Sequence, residues 1–229
     1  MLFRRIALTT MLLSCTAVHA NTAPSYHYIQ ASVERISQSG EENFSNTGLG
    51  LNAAWQLNSN WFLATEWQRF SEKRSDTFQE DNLRADISSE MSLNRYYLGA
   101  GYILPLSEVT NISFAGYFGA YRYALKSNTN LFTDNQLSSN FKNSLSTTDN
   151  SIKTQIMLRA NINSQLELSG RVYYEYLNDS DLDNKSQYGV GAGALYQLNP
   201  RFALSADLST GKLLDEGTTQ IGVGARYQF

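Results

Sequence analysis

The chain closes on Thr219-Gln220-Ile221-Gly222-Val223-Gly224-Ala225-Arg226-Tyr227-Gln228-Phe229. Thr219, Ile221, Val223, Ala225, Tyr227 and Phe229 occupy one set of alternate positions; Gln220, Gly222, Gly224, Arg226 and Gln228 occupy the other. A period of two puts the sets on opposite faces of a β-strand, one apolar and one polar or tiny. A half-buried strand of a soluble sandwich shows the same alternation, so the segment establishes a strand and leaves its surroundings open.

The pattern recurs upstream in segments of about ten residues or more, the length a tilted strand needs to cross a bilayer. Residues 26–36 set Ile29, Ala31 and Val33 against Tyr28, Gln30, Ser32 and Glu34. Residues 47–57 set Leu49, Leu51, Ala53 and Trp55 against Gly48, Gly50 and Asn52. The third strand starts at Trp61, and a long polar stretch, 71–91, follows as an expected loop. Residues 94–104 send Tyr96, Leu98, Ala100 and Tyr102 one way, with Arg95, Tyr97, Gly99 and Gly101 opposite. In the strand over 111–125, placing Arg122 in a polar interior sends Phe114 and Phe118 inward too, unless a bulge near Gly116 or Gly119 intervenes. A second polar loop is expected over 126–150. Four more strands precede the last, carrying Ile152 to Ile162, Leu166 to Tyr176, Val190 to Leu198 and Phe202 to Leu208 on their apolar faces.

Turns fall into two alternating sets. Short ones lie near residues 58, 107, 163 and 199, where Asn, Ser and Pro favour reversal; long polar ones lie near 40, 80, 138, 181 and 214. Ten strands are expected, with eight as the alternative.

The first residues form a separate unit. Arg4 and Arg5 precede the apolar run Ile6–Leu13, too short to span a bilayer as a helix, and Val18-His19-Ala20 suits cleavage. Residues 1–20 read as a secretory signal peptide and 21–229 as one all-β domain. Lipid attachment at Cys15 is an alternative, with bulky Leu13 a poor neighbour for it. The sequence carries 18 Lys+Arg and 21 Asp+Glu, and its mild acidity argues against a nucleic-acid partner. The one cysteine lies in the signal, which leaves the mature chain no internal disulfide.

The interior decides between sandwich and barrel. The polar faces hold Glu66, Arg95, Lys153, Arg159, Arg171, Glu175, Asp207 and Arg226. A dry sandwich core cannot carry that many ionisable groups, whereas a wet or ion-paired lumen can. Aromatic residues gather at strand ends as a membrane girdle requires: Trp55, Trp61, Tyr102, Tyr196, Phe202 and Phe229 on the short-turn side, and Trp67, Tyr123, Tyr176 and Tyr188 on the other. The inward glycines leave room for large neighbours in a narrow barrel.

With its signal, its alternating strands and its terminal Tyr227-x-Phe229, the chain resembles the small Gram-negative outer-membrane barrels, the OmpA/OmpX-type and porin-like group. The resemblance covers the mature chain. It implies a transmembrane antiparallel up-and-down barrel in the outer membrane, contact with outer-membrane lipid and lipopolysaccharide, and Tyr227 and Phe229 as the signal read by the barrel-assembly machinery. It does not reach activity, because one fold hosts many functions.

No catalytic, cofactor or metal set is expected. His27, the one mature histidine, sits on the turn side without partners for the histidine-based chemistry of outer-membrane hydrolases. Asp179, Asp181 and Asp183 resemble the start of a calcium loop, but Asn184 and Val190 stand where that loop needs Gly and Glu. The leading functional reading is a non-enzymatic barrel, either a narrow pore for small solutes or a structural envelope protein. The alternative is a surface adhesion or interaction protein acting through the long loops, in which Leu131, Phe132, Leu137 and Phe141 extend the barrel, constrict it or meet a ligand. A lipid A-modifying or proteolytic enzyme is the third.

Overall fold

A computed structural model describes residues 23–39, 44–134, 136–178, 185–213 and 216–229. The signal segment with Cys15 and the Asp179–Asp183 run lie outside the described residues.

Alternating apolar residues with few prolines produce ten strands: β1 Tyr28–Ser39, β2 Phe44–Gln56, β3 Trp61–Glu80, β4 Leu83–Pro105, β5 Thr110–Thr133, β6 Gln136–Asn161, β7 Leu166–Leu177, β8 Ser186–Gln197, β9 Phe202–Leu213 and β10 Glu216–Gln228. Each pairs antiparallel with its chain neighbour, and β1 pairs with β10 to close the barrel. The closing ladder runs from Tyr28↔Gln228 to Ser39↔Gly217. Closure leaves this section of the sheet without an edge, as a segment surrounded by hydrocarbon requires. At the usual tilt, the 12 residues of β1 or β7 rise about 30 Å, one hydrocarbon thickness.

Side chains obey the pleat. Outward positions are large, apolar and exposed, among them Leu98, Phe118, Ile152, Val190, Leu208 and Val223. Three short turns share one device: the side-chain oxygens of Asn58, Asn163 and Asn199 each accept from the backbone N–H groups two and three residues on, at 2.8–3.0 Å. This Asx turn is why Asn recurs there. Inward glycines admit aromatic rings: a Cβ on Gly48 would stand 2.5 Å from the Phe70 ring, and one on Gly99 as close to Tyr117.

The structure corrects the expected loops. Residues 71–91 and 126–150 are not irregular; they prolong β3–β6 far beyond the other six strands. Beyond the pair Phe70↔Leu93, β3 and β4 continue to Glu80↔Leu83. β4 stays paired with β5 to Leu83↔Thr133, and β5 with β6 to Thr133↔Gln136, with one register shift at Leu131/Phe132. A four-stranded sheet thus stands roughly 30 Å along its strands beyond the barrel rim. Its tips are joined, with Asp134 N–H donating to the Asn82 carbonyl at 2.9 Å. Asp81 and Asp134 take left-handed backbone at φ 48°, which Asp tolerates better than most residues.

Several side-chain assignments also change. Phe114 and Phe118 point outward, 44% and 76% exposed, while Ala115, Tyr117 and Tyr121 fill the interior. Arg122 shares the outward face, and no bulge near Gly116 or Gly119 is needed, because it lies above the apolar belt where charge meets water. Tyr123 leaves the expected girdle: it turns inward and stacks on Tyr121 with ring centroids 6.2 Å apart. Tyr26, expected in the first strand, precedes β1 and enters the barrel mouth.

Candidate functional site

The lumen is filled by side chains that reach across it. Around a cavity of about 160 Å³ stand five acidic residues (Glu34, Glu66, Glu167, Glu175, Asp207) and five basic ones (Arg95, Lys153, Arg159, Arg171, Arg226). All eight ionisable residues expected on the inner face lie there. Glu34, which the alternation placed inward, and Glu167 complete the set. Glu167 shares the parity of Ser169 and Arg171, and that signal marks it.

Three ion pairs organise these charges. Arg159 binds Glu167 with two hydrogen bonds of 2.8 and 2.9 Å, both side chains almost wholly buried. The planar fork satisfies both carboxylate oxygens, which a buried pair requires. Lys153 on β6 pairs with Glu66 on β3 and lies 4.1 and 4.5 Å from the ring centres of Tyr97 and Tyr117. Arg171 reaches Asp207 at 3.4 Å.

The other four charges take neutral partners. Glu34 accepts from Ser32, Gln68 and Gln220 at 2.7–2.8 Å. Glu175 accepts from Tyr121 at 2.6 Å and from Tyr97 at 3.1 Å. Arg95 donates to Gln220 at 2.9 Å, and Arg226 to Gln30 at 2.9 Å with its guanidinium 4.0 Å above the Tyr28 ring. Several links are chords: Arg95–Gln220 joins β4 to β10, Tyr97–Glu175 joins β4 to β7, and Lys153–Glu66 joins β6 to β3.

Both mouths of the lumen are occupied. On the long-loop side, Ile36, Phe70, Tyr97, Tyr121 and Leu177 are at most 4% exposed and form one apolar cluster with Leu93 and Tyr123 against it. On the turn side the chain before β1 folds inward. The Tyr26 hydroxyl donates to Asn111 at 3.2 Å, Asn111 donates back to the Pro24 carbonyl, and Arg159 donates to the Ser25 carbonyl at 2.9 Å. The Tyr26 ring packs 4.4 Å from Phe62. His27 stays outside the lumen, edge-on to Trp55. Phe229 packs between Tyr227 and Trp55, with ring centroids 5.6 and 5.8 Å away, in the turn-side aromatic belt.

On β4–β6 the projecting sheet has the reverse sidedness, while β3 presents Glu72, Arg74, Asp76 and Glu80 beside Phe78 on the same lumen-side face, with Arg74 paired to Glu72 at 2.8 Å. Strand parity puts Phe78, Ile87, Met91, Leu125, Phe141 and Leu145 on the face continuous with the lumen wall. Phe78, Phe141 and Leu145 are 60–63% exposed. The face continuous with the lipid belt carries mostly Ser, Thr, Asn, Lys, Arg and acidic residues, with Phe132 and Leu137 near the tip and ion pairs Arg84–Asp86 at 2.8 Å and Lys73–Glu90 at 4.0 Å. Sequence composition marked these segments as polar; on β4–β6 their two-residue period gathers most apolar residues on one face.

Solved structures resemble the fold across most of the chain. The translocator domain of the autotransporter NalP from Neisseria meningitidis aligns with TM-score 0.58 and 12% identity, over 89% of this chain and 88% of that one. Ail, the attachment invasion locus protein of Yersinia pestis, aligns with TM-score 0.45 and 16% identity, over 88% and 95%. The outer membrane protease OmpT from Escherichia coli aligns with TM-score 0.46 and 11% identity, over 89% and 94%. No curated protein sequence matches significantly. Residues 6–229 match the family described as outer membrane protein beta-barrel domain. Since that match takes in nearly the whole chain, the protein belongs to this family of Gram-negative outer-membrane β-barrels and resides in the outer membrane.

Proposed function

We propose that this protein is a non-enzymatic surface-interaction protein, in which a filled barrel anchors the four-stranded sheet of β3–β6 outside the cell. The observation that carries this reading is the exposed apolar cluster on one face of that sheet, contributed by β4–β6 together with Phe78. Phe78, Phe141 and Leu145, 60–63% exposed on one face and held away from the membrane by paired strands, mark a contact site bordered by the charges of β3. The chords across the lumen and the packed residues at both mouths favour an anchor over a conduit.

Replacing residues 72–91 and 125–145 with short turns tests the proposal. The shortened protein keeps its heat-modifiable barrel, and expressing cells lose attachment to a hydrophobic surface and to an epithelial monolayer. Equal attachment by the shortened and complete proteins would remove the reading. The cavity of about 160 Å³ with its ten charged lining residues supports a second reading, a narrow pore. Stepwise conductance by the folded protein in a planar bilayer would favour that pore.

A further inference from the structure

The two faces of the projecting sheet differ in charge as well as in polarity. On the lumen-side face, Glu72, Asp76 and Glu80 recur along β3 at intervals of about 13 Å. Glu72 is tied to Arg74 at 2.8 Å, whereas Asp76 and Glu80 are exposed and have no hydrogen bond or ion pair among the described residues. Beside them, the lumen-side positions of β4, β5 and β6 beyond the rim carry no charge. Lys73, Arg84, Lys126 and Lys142 all point the other way. That opposite face satisfies much of itself: Thr77 donates to Asp86 at 3.0 Å, Arg84 lies 4.3 Å over the Phe132 ring, and Asn140 donates to Asn128 at 2.7 Å. The lumen-side face is left with bare carboxylates along one edge and bare apolar side chains across the rest.

The dimensions of this face are those of one helix. From β4 to β6 two strand gaps measure about 10 Å, close to the diameter of an α-helix. From the pair Glu72↔Met91 to the pair Glu80↔Leu83 the strands run about 27 Å, the length of about 18 helical residues. The face continues the wall of a ten-stranded barrel, whose curvature is near that of the slightly larger β-cans that enclose one central helix. A helix laid along the strands on Leu125, Phe141 and Leu145 turns one flank toward β3. Cations two turns apart on that flank, at about 11–12 Å, fall beside successive carboxylates.

We infer that this face binds a free cationic amphipathic peptide as a helix, with its apolar stripe on β4–β6 and its basic residues against Asp76 and Glu80. The assignment rests on the reading of β3–β6 as a contact surface and gives that surface a ligand class. Sign and shape both argue for this occupant. A helix with one apolar stripe and a basic flank matches an apolar floor with an acidic edge. A second copy of the chain would bring an apolar face of the same negative sign, and like charges oppose that pairing.

The test uses the folded mature protein in phosphatidylcholine nanodiscs, with empty nanodiscs as the blank, at physiological salt. The probe is a fluorescent peptide of about 18 Leu and Lys residues ordered to give one apolar helix face, and binding is read by anisotropy. Wild type binds this probe at least about tenfold more tightly than a peptide of the same composition in shuffled order, or one with Glu in place of Lys. The variants D76K/E80K and F141S/L145S each weaken binding about tenfold, and K126Q/K142Q on the opposite face leaves it unchanged. Equal binding of the ordered, shuffled and acidic peptides by wild type would overturn the proposal, and that arm needs no variant to fold. Equal affinity in wild type and D76K/E80K would overturn it as well. Pairing of wild-type nanodiscs that the peptide fails to dissolve would give the face to a second copy, with the same result. Attachment lost on shortening β3–β6, without peptide binding, sinks this assignment and spares the contact-surface reading; peptide binding with attachment unchanged supports this assignment and sinks the cell-attachment reading.

Discussion

β4 and β5 each pass through two environments, and each reverses its sidedness on the way. Within the barrel, Leu98 and Phe118 point outward while Tyr97 and Tyr117 point in. Beyond the rim, Met91 and Leu125 take the inner face, and Glu90 and Lys126 the outer one. Backbone pairing runs unbroken through the change. The pleat therefore dictates only that neighbours oppose; the medium on each side dictates which set is apolar. In the barrel, hydrocarbon lies outside and charge must stay inside. In the projection, water lies outside, and on β4 and β5 the apolar residues collect on the face continuous with the lumen wall.

The barrel section carries the largest energetic stakes. Arg159→Ala leaves Glu167 buried without its partner and costs about 3–5 kcal/mol, and it also frees the Ser25 carbonyl. Urea titration of the protein folded into lipid vesicles measures this. A loss under about 1 kcal/mol would mean that the buried pair is wet, like a surface one.

A second experiment sets the two regions side by side. Phe118→Arg places a charge in the lipid belt and costs about 2–4 kcal/mol near the bilayer centre, less toward the interface. Phe141→Arg, on the projecting sheet, changes stability by no more than about 0.5 kcal/mol yet removes surface attachment. Equal destabilisation at the two sites would erase the distinction between lipid-facing and water-facing sections. Among the ion pairs, the smallest effect belongs to Arg84→Ala. It breaks a half-buried pair with Asp86, and the urea midpoint shifts by an amount corresponding to about 1 kcal/mol or less.

The barrel was legible because its alternation is regular and punctuated by short turns: apolar residues keep one parity from Tyr96 to Tyr102, and the turn at 105–107 follows them. The projecting sheet was equally periodic. Leu83, Ala85, Ile87, Met91 and Leu93 hold odd positions, and Tyr96, Leu98, Ala100 and Tyr102 hold even ones. The phase switch across Asn94 and Arg95 marks the rim, but average polarity conceals it. Arg122 misled for a related reason: a charge was sent to the lumen because the strand was assumed to end at the membrane surface.

Which lumen residues face inward follows from parity. Which of them touch does not, because Lys153–Glu66 and Arg95–Gln220 depend on strand stagger around the closed ring. The inward fold of Tyr26 leaves no periodic trace, since it rests on single contacts to Asn111, Phe62 and Arg159.

The bond between Asp134 and Asn82 has a mechanical consequence. It couples the two hairpins at their ends, so a load caught at the summit is shared by three ladders pulled lengthwise. Such loading strains many hydrogen bonds at once instead of peeling them singly. The β1–β10 seam lies across the ring from this buttress and is spared the pull.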